Sequence, residues 1–558
     1  MATLIYAFLT LTPLVAWYVY TQLHRWRFQK YSHLPKMFPQ SLLFGHLKDI
    51  AQGLVKLGDH RRHADYVAEQ MFKDAGYPQM IFLDLRPVNY PLMYIASHDI
   101  AEQITRSSKS QPVSVQKSPT MQEGMGELIG KHSILSADGA IWKGLRKRYN
   151  PGFSPQHLIS LLPQILEKTS TFIDKLDALA EARVDFDMDP LCTSLTFDII
   201  GTVVTNLDFK AQDSSGGQDI VRHFRELNNT FSDTWSPWLR FNVLLRLRRT
   251  ISSYKADWAI KRCIKEKWAE LKQAQGVETK KMQDRSVLAL SLKDTDELTP
   301  DLLQSTTDQV KSFMFAGHDT TSVLLQRLFY ALSMHPKCLA MIRAEHDAVF
   351  GDSDPQQIML SRPDETMNLL SYTSACIKEA LRLWPPAASA RLAPRGTGFK
   401  VQTENGEEVC LDGVVLYICH YLIHRDPKVY GETANDFVPE RWLGDTSTTS
   451  SAEDEVSNDI DTSKTPIAAW RPFERGPRNC VGQELANIEA RVILACVMRR
   501  YDFIKVGAGE IETDEKGRPV VDEKGMYKTK SELFNKMVIT SKPFDSCRMR
   551  IKRRQPVS

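Results

Sequence analysis

Phe473-Glu474-Arg475-Gly476-Pro477-Arg478-Asn479-Cys480-Val481-Gly482 sets one cysteine in a Gly/Pro-kinked loop, just ahead of a helix-forming run from Gln483 to Arg500. Free backbone N–H groups at a helix start, and the dipole behind them, favour negative charge on a sulfur placed there. Gly476 and Gly482 leave room for a flat, bulky cofactor to lie against the backbone. The stretch reads as a thiolate that binds a metal. The alternative is a buried structural cysteine in an ordinary loop.

The other cysteines do not compete for that role. All nine lie scattered, at 192, 263, 338, 376, 410, 419, 480, 496 and 547, with no CxxC pair. Zinc knuckles, thioredoxin chemistry and covalent c-type haem attachment are therefore unsupported, and a reducing compartment is indicated. At 42% apolar and 25% charged the composition is that of a soluble globular chain, and a net charge of +3 selects no partner. Gly124-Met125-Gly126 and Gly130-Lys131-His132 lack the spacing of nucleotide loops, and no strand-linked GxGxxG appears. The basic stretch 548–554 is too short to read as a nucleic-acid arm.

Upstream, Thr299-Pro300-Asp301 combines an N-cap residue, a first-turn proline and an early acid. Helical sequence runs from there to His335 and stops at Pro336, about 36 residues or roughly 54 Å. Its middle reads Phe315-Ala316-Gly317-His318-Asp319-Thr320-Thr321-Ser322. Glycine in a helix interior costs about 1 kcal/mol against alanine, so Gly317 needs a reason. Thr320 can hydrogen-bond the preceding turn and loosen the ladder. Ala316, Gly317 and Thr320 share a face on which a small ligand could sit. His318 is read as a plain helix-face residue.

Two further patterns flank these. Glu379-Ala380-Leu381-Arg382 pairs an acid with a base at i and i+3 on a helix that must end before Pro385-Pro386, and Phe437-Val438-Pro439-Glu440-Arg441-Trp442 follows. Trp142 and Arg146 stand at i and i+4. The cluster Lys143, Arg146, Lys147 and Arg148 is either a docking patch for an acidic electron donor or a solvated face.

Phe-x-x-Gly-x-Arg-x-Cys-x-Gly around Cys480 resembles the haem-binding signature of the cytochrome P450 family. Ala316–Thr321 resembles the oxygen groove of its longest helix. Glu379-x-x-Arg382, the Pro439-Glu440-Arg441 segment and Trp142-x-x-x-Arg146 resemble three more of its motifs, in the family's order. The resemblance implies heme b with Cys480 as the axial thiolate on iron. Phe473, Gly476, Gly482, Ala316 and Gly317 would lie against the cofactor, with Trp142, Arg146, Arg478 and Arg391 as propionate partners. It implies that Thr320 acts at the oxygen site, that Asp319 feeds protons inward, and that Glu379, Arg382 and Arg441 form a buried structural network.

The implied activity is insertion of one atom of O2 into a lipophilic small molecule by hydroxylation or epoxidation, in the manner of fungal secondary metabolism. Pocket-lining segments by family position are 114–130, 313–320, 387–390 and 538–539. With no flavin or nicotinamide module in the chain, electrons would come from NADPH-cytochrome P450 reductase, with cytochrome b5 as an additional candidate. Two rivals are a haem-thiolate isomerase or dehydratase and a non-catalytic haem sensor.

The N-terminus differs from the rest. No charged side chain occurs from Met1 to Leu23, a stretch of about 22 residues and roughly 33 Å, enough to cross a bilayer core. Trp17, Tyr18 and Tyr20 suit an interface, and His24, Arg25, Arg27, Lys30 and Lys36 follow at once, which places the remainder on the cytoplasmic side. The expectation is a single-pass protein of the endoplasmic reticulum membrane, with an interfacial helix as the alternative. The expected fold is mainly α (α+β), a large helical domain with a minor β part, plus this N-terminal transmembrane helix. Residues 1–23 are the anchor, 24–46 a basic, proline-containing linker and 47–558 the catalytic domain. The polar stretch 445–465 within it is a disordered surface insertion.

Overall fold

The structure, a computed structural model, describes residues 2–35, 40–108, 111, 113–231, 242–274, 284–444 and 465–554, the side chains of residues 2–10, Ala274 and Met537 excepted. The expected insertion, Thr465 apart, lies outside the described residues. Where the sequence suggests one domain from residue 47, the chain groups into two compact units. The first holds Met1–Ser118, Ser389–Ile423 and Gly476–Arg478, and the second holds Pro119–Ala388, His424–Arg475 and Asn479–Ser558.

In the first unit, β1 (Met80–Asp84) and β2 (Pro91–Ile95) pair antiparallel, as their apolar runs predict. They join β3 (Ser389–Leu392) and β4 (Val415–Ile418) in the order β1-β2-β4-β3, with β2 and β4 parallel. Alternation sorts the side chains: Met80, Phe82, Met93 and Ile95 enter one apolar cluster, while Ile81, Leu83 and Tyr94 enter the other. A sheet covered on both faces explains why β1 is apolar at four successive positions.

Helix α1 (Ala2–Arg27) opens this unit. Among the described residues no helix is long and apolar enough to cross a membrane. The helix outruns the expected boundary at residue 23 because Arg27 is wholly buried. It pairs with Asp84 at 2.9 Å and donates to the carbonyls of Leu42 and Leu43. Burial alone would raise Asp84, but Arg86 and Arg27 together hold its carboxyl below the usual range. The expected linker is thus built into the unit, with Tyr31 and Leu34 in its core.

The second unit is mainly helical. Its axis is α4 (Pro300–Met334), capped by the Thr299 hydroxyl accepting from Leu302 N–H. Helix α3 (Met188–Thr205) lies against it and is buried at every position from Leu195 to Thr205, with Thr196, Thr202 and Thr205 satisfying their hydroxyls on backbone carbonyls and Asp198 accepting from Ala211 and Gln212 N–H. The elements that carry the site are α2 (Gly139–Tyr149), α5 (Ser371–Leu383) and α6 (Gln483–Val497). At the C-terminal end, β5 (Tyr501–Lys505) and β8 (Arg548–Arg553) pair antiparallel, and β6 (Asn535–Met537) and β7 (Ser541–Pro543) form a hairpin.

Candidate active site

The cysteine loop is closed by its own backbone, with Cys480 N–H donating to the Phe473 carbonyl at 2.8 Å. The turn requires left-handed backbone at Glu474 (φ 57°) and Gly476 (φ 76°). Glu474 is fixed there by Arg471, whose guanidinium donates twice to Oε1 at 2.7 and 2.9 Å. Phe473 packs edge-on against Trp470. A Cβ at Gly476 would stand 2.2 Å from the Thr105 carbonyl oxygen. Gly476 therefore answers to backbone packing and turn geometry. Gly482 differs: a Cβ there would meet only the Cys480 sulfur, at 3.9 Å, so glycine keeps the flank of the sulfur clear.

Cys480 is exposed, whereas Cys410 is half-buried and the other seven cysteines are buried. Burial pushes the thiols of Cys263, Cys496 and Cys547 up to about 12, and raises those of Cys192, Cys338 and Cys376. Those six are held as inert thiols. Among the described residues no group of three His, Cys, Asp or Glu side chains could hold a metal. A single accessible sulfur suits a cofactor that brings its own in-plane donors, so the residues present fit a haem bound through one thiolate.

From α2, Arg146 reaches the loop itself. It donates to the backbone carbonyl and the side-chain oxygen of Asn479, each at 2.8 Å. Burial draws the guanidinium below its usual value, and negative charge at Cys480 opposes that. The planar fork thus braces the residue before the cysteine. Trp142 is buried one turn earlier. Arg148 donates to the Ser291 carbonyl, which leaves Lys143 and Lys147 as the exposed basic residues of this helix. Arg391 is fully buried in β3 and donates to the Val115 carbonyl at 3.3 Å, while Arg478 is buried in the same unit.

In α4 the Thr320 hydroxyl donates to the Ala316 carbonyl at 2.7 Å, and Thr196 of α3 donates to the His318 carbonyl at 2.7 Å. Both hydroxyls compete for ladder carbonyls in the predicted loosened turn. The reason for Gly317 is different from the expected one. A Cβ there would strike Ile200 at 2.6 Å, so glycine lets α3 approach α4. His318 is buried among Phe197, Phe224 and Phe315, with Nδ1 on the Met314 carbonyl, and burial lowers its basicity. It is a core residue.

Asp319 is buried. The Thr540 hydroxyl donates to its Oδ2 at 2.5 Å and the Lys542 ammonium lies 2.9 Å from Oδ1. Burial would raise this carboxyl, but Lys542 leads the groups that hold it below the usual range. Glu489, nine residues past Cys480 on α6, is buried against Thr321 of α4, and burial pushes its carboxyl well up. The expectations above missed Lys542, Thr540 and Glu489. Only Glu489 carries a sequence signal, a lone acid on the otherwise apolar face of Leu485, Ile488 and Val492.

The predicted network forms in full. Glu379 accepts two bonds from Arg382 at 2.8 and 2.9 Å, one from Arg441 at 3.0 Å, one from Trp442 at 2.8 Å and one from Val438 N–H at 2.9 Å. Arg382 also donates to the carbonyls of His424, Ala434 and Asp436.

Residues 58–529 match the family model for cytochrome P450. Cytochrome P450 monooxygenase acrF of Aspergillus aculeatus is 32% identical over 434 residues, which covers 76% of this chain and 84% of the relative. Cytochrome P450 monooxygenase polC of Polytolypa hystricis is 27% identical, covering 84% of this chain and 81% of the relative. The crystal structure of the cytochrome P450DA heme domain is similar in fold, with a TM-score of 0.67 at 19% identity over 93% of this chain and 97% of that one.

Proposed function

Because this chain belongs to the cytochrome P450 family, we propose that Cys480 is the thiolate ligand of a b-type haem used to hydroxylate or epoxidise a lipophilic small molecule. The chain is a monooxygenase, and family and fold imply a haem-thiolate iron cofactor. The observation that carries the proposal is Cys480 itself, the exposed thiol of the chain, in a loop closed on Phe473 and braced by Arg146. When bound, the haem supplies oxygen activation, with thiolate electron density favouring O–O cleavage.

The protein's own part is positioning and proton control. Phe473 and Gly482 shape the flank of the sulfur. Trp142, Arg146, Arg478 and Arg391 are the propionate partners in this reading. Thr320, its O–H engaged by the Ala316 carbonyl, keeps lone pairs free to accept a proton donor at the oxygen site. Asp319, held as a carboxylate, takes up a proton before passing one on. Expected outcomes follow from general acid–base magnitudes: Asp319→Asn slows product formation by about 10²-fold, the low end for such a group. Thr320→Ala keeps consuming NADPH while diverting it to hydrogen peroxide. Product yield per NADPH checks both, and a Thr320→Ala enzyme with full coupling contradicts the assignment. Product that forms without O2 or NADPH points instead to an isomerase or dehydratase.

Electrons are proposed to come from NADPH-cytochrome P450 reductase, meeting the exposed Lys143 and Lys147. Fungal secondary metabolism is the proposed setting, supported by the two fungal relatives. We also read α1 as the membrane anchor, cytoplasmic domain following, on the endoplasmic reticulum. Its support is the uncharged stretch to Leu23 with six basic or histidine residues between positions 24 and 36. Removing residues 1–23, which spares the buried Arg27, should move the chain from the membrane to the soluble fraction. A full-length chain already soluble on fractionation contradicts this.

A further inference from the structure

Lys542 lies between two carboxylates, one deep and one facing water. Its ammonium is 2.9 Å from Asp319 of α4 and 3.2 Å from Asp189 in the first turn of α3. The side chain of Asp319 is 3% exposed and that of Asp189 is 24% exposed. Lys542 comes from β7 of the C-terminal hairpin, which also supplies Thr540 to Asp319 and is tied down by Ser541 N–H on the Pro386 carbonyl. Asp189 has further partners: Gln326 donates to it at 2.8 Å and Thr193 at 3.3 Å, and both also reach the Ser322 hydroxyl.

The two carboxylates depend on the lysine unequally. Water and neutral donors can stabilise the charge on Asp189. Asp319 has a neutral hydroxyl and the ammonium, so its charged form rests on Lys542. The remaining titratable groups facing this cluster are poor substitutes. His318 is held neutral by burial, and Arg225 spends its guanidinium on Ser194 and on the Gly216 and Ala211 carbonyls. The Cys192 and Cys547 thiols beside Asp189 are raised by burial and uncharged, and Glu489, its carboxyl pushed up by burial, bears on Thr321 and brings no positive charge.

We propose that Lys542 is a positioning residue that sets the protonation state of Asp319, with Asp189 as a second, solvent-facing seat for its ammonium. When the ammonium sits on Asp319, the carboxyl is ionised. When it moves to Asp189, Asp319 loses its counter-charge and takes a proton from solvent. The sign is fixed by the geometry. A carboxyl depressed in the folded state gives up that stabilisation as pH falls through its folded value. Removing Lys542 therefore moves protonation of Asp319 to higher pH, and removing Asp189 moves it lower. The consequence for turnover rests on the proton-delivery reading of Asp319, but the charge sharing does not.

The test is an infrared pH titration of the full-length, haem-loaded protein, with the Asp319 carboxyl band assigned by its loss in Asp319→Asn. Lys542→Met should show a protonated Asp319 at neutral pH, its midpoint moved to a proton concentration about 10³-fold lower than that of an ordinary aspartate, or lower still, with Lys542→Arg restoring the ionised form. Asp189→Asn, at the more exposed position, should shift the midpoint the opposite way. An Asp319 that stays ionised at neutral pH in Lys542→Met, or two variants that shift it alike, overturns the proposal. Shifts as expected, with an unchanged peroxide share of NADPH consumption, retain the lysine's role and overturn proton delivery through Asp319.

Discussion

Cys480→Ala is expected to abolish oxygen insertion while leaving the polypeptide folded. Cys480 is exposed and contributes little to packing, and substitutions at such positions usually change stability by about 0.5 kcal/mol or less. The loop keeps its closure, because the bonds from Cys480 N–H to Phe473 and from Arg146 to Asn479 do not use the sulfur. What disappears is the one exposed thiol. The expected result is a chain with unchanged far-ultraviolet circular dichroism and urea midpoint in its cofactor-free form. It should lack thiolate-ligated haem and have NADPH-supported product below detection. Replacing any of the buried cysteines, Cys263 or Cys496 for example, should leave the haem spectrum intact. Equal losses from Cys480→Ala and Cys496→Ala would show that cysteine removal acts through folding.

Glu379→Ala is expected to be the most damaging change away from the thiolate. Five donors converge on that carboxylate, three of them from the buried Arg382 and the nearly buried Arg441. Removing one partner of a buried ion pair costs about 3–5 kcal/mol, because the other charge is left without compensation. Against a total stability of about 5–15 kcal/mol, that is enough to deplete the folded state at physiological temperature. The lowered urea midpoint of Glu379→Ala measures it, and Glu379→Gln should lose less because the amide oxygen still accepts. A loss under about 1 kcal/mol for the alanine variant would mean that the network is not what holds Arg382 and Arg441 in place.

Local pattern and spacing carried much of this into the sequence. Thr299-Pro300 marked the start of α4 to the residue. Glu379, Arg382 and Arg441 were legible because motif order supplies what spacing cannot. The unread parts are long-range partners. Thr540 meets Asp319 across 221 residues and Arg146 meets Asn479 across 333, and nothing local at Lys542 or Asn479 announces either bond. Glycines were legible as special but not in their reasons: Gly317 yields to Ile200, and Gly476 to the Thr105 carbonyl. Arg27 looked like a flanking charge after an apolar stretch, because Asp84, its buried partner, is 57 positions away in sequence.

The most direct measurement is the absorption spectrum of the purified wild-type protein, reduced and exposed to carbon monoxide. Thiolate ligation through Cys480 predicts the strongly red-shifted Soret band of a haem-thiolate protein, present in the wild type and absent in Cys480→Ala. A reduced, CO-bound wild-type spectrum without that shift, or one that Cys480→Ala retains, would contradict the assignment of Cys480 as the ligand.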